Sequence, residues 1–224
     1  MKRYKLGFFI MLFLIKMSGM AQSKEAPVKI WNNNNNSPVV LYLSGDGGFN
    51  NFSNNYCELL GNQGYTVAAV DSKSFFWDKK SPDQITKELS NSLSKLLVRR
   101  TNQLVYFVGY SFGADVIPFV VNRLSVSWKQ RLKAVALLEP SSSTDLEIHV
   151  ADLWGRSNIK RGMDVVAEIN RMVGTKTSIL LGEDETNFPV KQIHLNDIRT
   201  IYLKGDHHFD GNALEVVKAT IKSF

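Results

Sequence analysis

The sequence predicts an α/β domain whose mostly parallel sheet is covered by helices on both faces. Two observations carry this reading. Short apolar runs alternate along the chain with amphipathic stretches, and the runs have the length of strands buried on both sides. The 224 residues suffice for one domain with a full core, and 44% of them are hydrophobic with no long compositional shift.

In chain order, residues 1–21 stand apart. Lys2, Arg3 and Lys5 precede the ten-residue apolar run Leu6–Ile15, and small residues end at Gly19 and Ala21. A run this short predicts a cleaved secretory signal peptide rather than a membrane span, which needs about 20 residues. Residues 22–38 read as an N-terminal loop region, with the Asn32–Asn36 run and Ser37-Pro38 leading into a domain over 39–224. Val39–Leu43, Thr66–Val70, Leu104–Val108, Leu132–Leu138, Thr177–Leu181 and Ile198–Leu203 read as strands. Helices are expected over Ser81–Arg99, Ala114–Leu124, Met163–Met172 and Asn212–Lys222. In the first of these Ile85, Leu89, Leu93, Leu96 and Leu97 share one face, and Ser81-Pro82 supplies a cap with proline in the first turn. Leu146–Gly155 reads as an extra strand or a small cap element, so the cap is expected to be small or absent.

Charge and cysteine usage narrow the function classes. The formal charge is +6 and the sequence pI about 9.3. Losing the four cations of residues 1–21 leaves +2, and no Lys/Arg run longer than two remains. Nucleic acid is therefore not an expected partner. Cys57 is the single cysteine, so no internal disulfide can form, and the thiol reads as part of the core.

Gly109-Tyr110-Ser111-Phe112-Gly113 directly follows one predicted strand and directly precedes a predicted helix. This is the strand–turn–helix setting of the G-x-S-x-G nucleophile elbow of α/β-hydrolases. The turn is so tight that only glycine fits two residues either side of the serine. Ser111 is thus the candidate nucleophile. Its base is sought among the histidines of the loop after the last strand, Gly205-Asp206-His207-His208-Phe209, in the chain order serine, acid, histidine. His208 is the first choice and His207 the reserve. A metal held by this adjacent pair is not expected, because neighbouring side chains rarely converge on one ion. Gly182-Glu183-Asp184-Glu185 follows the strand that usually carries the acid, and three acids in a row cannot all point inward. Glu185 is the first choice, with Asp184 and Glu139, which ends an earlier strand, as alternatives. Two backbone amides complete the machinery as an oxyanion hole, those of Phe112 and of Asp46 in the loop Ser44-Gly45-Asp46-Gly47-Gly48-Phe49. Asp46 and Asp115 are also candidates for holding a cationic group of the substrate. No cofactor is needed for this chemistry.

Four separated motifs make a resemblance specific. Leu43–Phe49, Phe75-Phe76-Trp77 leading to Ser81-Pro82, Gly109–Phe119 with Asn122-Arg123-Leu124, and His207–Gly211 resemble the bacterial virulence protein VirJ/AcvB family, with Phe49 where the family often shows Trp. The resemblance runs from about Val39 to the C-terminus. It implies an α/β-hydrolase of the periplasm that cleaves the aminoacyl ester of aminoacylated phosphatidylglycerol, lysyl-phosphatidylglycerol in particular, at a membrane surface. Such an enzyme would pass through an aminoacyl-Ser111 intermediate. It also implies an association with type IV secretion, so the alternatives are a non-catalytic binding module of a secretion or envelope complex, and a general carboxylesterase or lipase.

Overall fold

A computed structural model of the protein describes residues 24–34, 36–100, 103–149 and 161–224. The expected signal peptide lies outside the described residues, as do residues 150–155 of the expected cap element.

A seven-stranded sheet forms the centre, in the order β1-β3-β2-β4-β5-β8-β9. Its strands are β1 (Lys29–Trp31), β2 (Val39–Leu43), β3 (Thr66–Val70), β4 (Val105–Tyr110), β5 (Leu132–Leu138), β8 (Thr177–Gly182) and β9 (Ile198–Leu203). All neighbours pair in parallel except β1, which runs antiparallel to β3 along one edge. Two short strands, β6 (Ser143–Thr144) and β7 (Met163–Asp164), pair with each other apart from the main sheet. The helices are α1 (Asn51–Asn62), α2 (Ser72–Phe75), α3 (Pro82–Leu96), α4 (Phe112–Arg123), α5 (Val126–Arg131), α6 (Val165–Asn170) and α7 (Ala213–Ser223).

The period of two along each strand sorts the core into two layers. Val39, Leu41 and Leu43 of β2 pack with apolar residues of α3, α4 and α6, while Val40 and Tyr42 pack on the other face with α1 and α7. Every residue of β2, β3 and β8 is buried, which is why these strands read as unbroken apolar runs. The helix α3 starts with a capping box: Gln84 N–H donates to Ser81 Oγ at 3.2 Å, and Ser81 N–H donates to Gln84 Oε1 at 2.9 Å.

Two expectations need correction. Residues 22–38 are more than a loop region, because β1 lies within them and extends the sheet. The helix α1 was not predicted at all. Its sequence is rich in asparagine, a poor helix former, yet Phe52, Tyr56 and Leu60 recur every fourth residue and are buried, and the Asn50 side chain caps the first turn. Tertiary packing outweighs local propensity here. Cys57 on the same helix is fully buried, and burial pushes its thiol up, out of the reactive range.

Candidate active site

The site forms at the carboxyl ends of β2, β4, β5 and β8, where an open parallel sheet leaves its crevice. Ser111 occupies the turn between β4 and α4 at φ 52° and ψ −119°, a backbone conformation that costs energy for any residue with a Cβ. Its neighbours hold it there. Ser111 N–H donates to Leu138 O at 2.7 Å, and Ser111 O accepts from the N–H groups of Ala114 and Asp115. A side chain at position 109 would collide with the backbone of Gly113 and Ala114, and one at 113 with the carbonyl of Leu43. The two glycines of the motif are therefore steric requirements of the turn.

His207, rather than the first-choice His208, faces the serine. Its Nε2 lies 2.9 Å from Ser111 Oγ. His208 is turned away into a bond between its Nδ1 and Tyr110 Oη at 2.8 Å, and its side chain is exposed. The loop backbone decides between the two. Gly205 at φ +103° and Phe209 and Asp210 at φ near +50° fold the loop tightly, and Tyr110 Oη donates to the His207 carbonyl at 3.3 Å.

The acid is likewise displaced from the first choice. Glu139 Oε2 lies 3.5 Å from His207 Nδ1 and Glu185 Oε2 lies 4.0 Å away. The Glu139 side chain is 1% exposed and that of Glu185 17% exposed. Gly182 N–H donates to Glu139 Oε1, and Glu139 N–H donates to Leu180 O at 2.9 Å. Glu139 itself sits at φ 53° immediately after β5, and this strained turn brings its carboxylate under the imidazole. Glu185 instead accepts the N–H of Asn187 through Oε1 at 2.7 Å, and Asp184 is exposed. The signal for Glu139 is a single carboxylate directly after the apolar run Ala134–Leu138 of β5.

With carboxylates on the Nδ1 side, the ring proton belongs at Nδ1, which leaves Nε2 free to accept from Ser111. Burial works against a charged His207, but the neighbouring carboxylates, Glu139 foremost and then Glu185 and Asp115, outweigh it and raise the imidazole above its ordinary value.

On the other side of Ser111 lies the loop after β2. Gly45 packs against it so closely that an added Cβ would stand 3.3 Å from Ser111 Cβ. Phe112 is the first residue of α4, so its N–H has no partner within the helix and is available to an oxyanion. Asp46 is half-exposed in the Gly-rich loop, with Oδ1 accepting Gly47 N–H at 2.8 Å.

Asp115 does not fit the expected contact with substrate. It is 4% exposed, and its Oδ1 accepts Ser141 N–H at 2.6 Å, two residues beyond Glu139. The carboxyl thus ties the turn that carries Glu139 to the helix that carries Ser111. Burial drives this carboxyl up from 3.8 to about 8, against the opposing Ser141 bonds. The native state then keeps a proton that the unfolded chain releases, so stability falls as pH rises from about 4 to about 8 and levels off above that. At about 1.4 kcal/mol per unit, a rise of about four units corresponds to roughly 6 kcal/mol at most. Asp115→Asn keeps an acceptor for Ser141 and should lose this slope, which urea unfolding at pH 5 and pH 8.5 measures.

A serine in a strained strand–turn–helix elbow, backed by a histidine and a buried carboxylate on a parallel sheet, defines the α/β-hydrolase fold. Solved structures of that fold superpose over most of the chain. MenH from S. aureus matches with TM-score 0.64 at 14% identity, covering 88% of this chain and 97% of its own. The enol-lactonase from Burkholderia xenovorans LB400 gives 0.64 at 12% identity, with coverages of 88% and 95%. A thioesterase domain from the curacin biosynthetic pathway gives 0.59 at 14%, with 87% and 93%. Among curated proteins no significant sequence match is found. Residues 37–224 match the family model described as bacterial virulence protein (VirJ), and the chain belongs to that family.

Proposed function

We propose that the protein is a periplasmic serine hydrolase that cleaves the aminoacyl ester of aminoacylated phosphatidylglycerol, with lysyl-phosphatidylglycerol as the expected substrate. The observation that carries the substrate class is the charge around the nucleophile. Burial, and then the carboxylates Glu139, Asp46 and Asp206, keep the Tyr110 phenol protonated, while Glu139, Glu185 and Asp115 favour the protonated His207 imidazole against its burial. Such a site favours an acyl group that brings one or two ammonium charges and disfavours an anionic one. Hydrolysis itself is supported by the family's fold relatives, whose names include a thioesterase and an enol-lactonase.

The residues act as follows. His207 Nε2 takes the Ser111 proton as Oγ attacks the aminoacyl carbonyl. The N–H groups of Phe112 and Asp46 receive the charge on the carbonyl oxygen. His207 returns its proton to the departing glycerol oxygen, leaving the amino acid esterified to Ser111. Water activated by the same ring then releases the free amino acid. Glu139 holds the ring in its productive tautomer and stabilises the imidazolium.

Asp46 is the carboxylate best placed to meet the ammonium group, because it is half-exposed on the loop packed against Ser111. Asp46→Asn should lower kcat/KM for a lysyl ester about fivefold, the worth of a partly solvated ion pair, and leave a neutral p-nitrophenyl ester nearly unchanged. Steady-state kinetics on both esters tests this, and equal losses would remove Asp46 from substrate recognition.

A further inference from the structure

We propose that Glu139, Glu185 and His207 also form a Zn²⁺ site, and that the bound ion turns the serine site off. One ligand atom from each of Glu139, Glu185 and His207 lies within 4.8 Å of the other two, and His207 Nδ1 faces Glu139 Oε2 and Glu185 Oε2. Tetrahedral Zn²⁺ with bonds of about 2.0–2.1 Å sets its ligands about 3.4 Å apart. The Glu139–His207 edge already has that length at 3.5 Å. The Glu185–His207 edge is 4.0 Å, and Glu185 lies on the loop after β8 with its Oε2 free of the Asn187 bond that Oε1 accepts. Among the described residues no other three His, Cys, Asp or Glu side chains converge this way.

A second observation points the same way. Glu139 Oε2 is buried and makes no hydrogen bond, although its sister oxygen takes the N–H of Gly182. His207 Nδ1 lies 3.5 Å from Oε2, long for a full hydrogen bond, so the charged oxygen is only weakly satisfied. A cation between the three ligands would satisfy it. One imidazole and two carboxylates suit Zn²⁺ better than Ca²⁺ or Mg²⁺, which take mostly oxygen ligands in larger number. The His207 side chain is 36% exposed, which leaves room for water at a fourth position.

The consequence for catalysis follows from the ring's single proton. A metal bonded through Nδ1 uses that nitrogen's lone pair and displaces its proton. In the neutral ring the remaining proton must then reside on Nε2, 2.9 Å from Ser111 Oγ. The ring now donates toward the serine and cannot accept its proton. Starting from neutral His207 no net proton is released, whereas starting from the imidazolium one proton leaves to solvent. Zn²⁺ occupancy and general-base function are therefore mutually exclusive. The metal site stands on geometry alone; only the inhibition rests on the proposed hydrolase activity.

The test is calorimetric titration of the purified protein with Zn²⁺, alongside the visible spectrum of the Co²⁺ complex. The expected result is one site per chain and the absorption of a four-coordinate Co²⁺ ion. Glu185→Gln should weaken Zn²⁺ by at least about tenfold, and His208→Ala should leave it unchanged. Hydrolysis of a soluble ester should fall as the site fills and return with a chelator, and Glu185→Gln should need correspondingly more Zn²⁺ for the same inhibition. Absence of binding below ~1 mM, or equal affinity in Glu185→Gln, overturns the site. Binding that leaves hydrolysis intact overturns the switch. Calorimetry decides the site even for a protein that hydrolyses none of the esters tried, so failure of the enzymatic reading is distinguishable.

Discussion

Replacing Glu139 by glutamine should lower kcat by about 10³–10⁴, while the same change at Glu185 should cost less than about tenfold. Glutamine fits the Glu139 position and keeps an oxygen for Gly182 N–H, so the fold is retained. Its amide nitrogen, however, would face His207 Nδ1, where a carboxylate now lies 3.5 Å away. A donor there forces the ring proton onto Nε2 and leaves nothing to accept from Ser111. Glu185 acts from 4.0 Å and in a more solvated position, so its loss removes charge without changing the tautomer. With one anion fewer the imidazolium is less stabilised and its pKa drops, and the acid limb of kcat/KM should move to lower pH in Glu185→Gln. Stopped-flow or steady-state pH profiles of the two variants separate these roles. Comparable kcat losses would mean that the two carboxylates share the task.

The second large effect distinguishes the adjacent histidines. His207→Ala should reduce kcat by about 10⁴ or more, because it removes the ring whose Nε2 lies 2.9 Å from Ser111 Oγ. His208→Ala removes a surface ring bonded to Tyr110 Oη, and that hydroxyl also donates to the His207 carbonyl. The expected cost is a loosening of the loop worth about tenfold or less. Parallel kinetics on the two variants with a soluble ester give the answer. A larger loss in His208→Ala would assign the base to the other ring.

These two residues also show where the sequence was legible and where it was not. Val39–Leu43 and Thr66–Val70 are strands with the predicted bounds, because they lie in a parallel sheet and carry apolar runs between turn signals, and Ile198–Leu203 keeps its bounds as a less buried edge strand. The elbow was legible for the same reason, since two glycines flank a serine between a strand and a helix. What the pattern could not carry was direction within a loop. His207 and His208 are adjacent, and the choice depends on the positive φ of Gly205, Phe209 and Asp210, which no periodicity encodes. Glu139 depends on a strained turn after β5, held from the neighbouring helix by Asp115. Asp115 in turn reads from sequence as a candidate for holding a cationic substrate group, at the start of the helix after the elbow. Only its burial and its bond to Ser141 show that it ties two parts of the site together.

The most direct test of the central claim is release of free amino acid from vesicles containing lysyl- or alanyl-phosphatidylglycerol, comparing the parent protein with Ser111→Ala. The account predicts release by the parent, faster for the lysyl lipid, and a loss of at least about 10³-fold in the folded Ser111→Ala variant. Release that survives the substitution would contradict Ser111 as nucleophile, and no release from a folded parent would contradict the aminoacyl lipid as substrate.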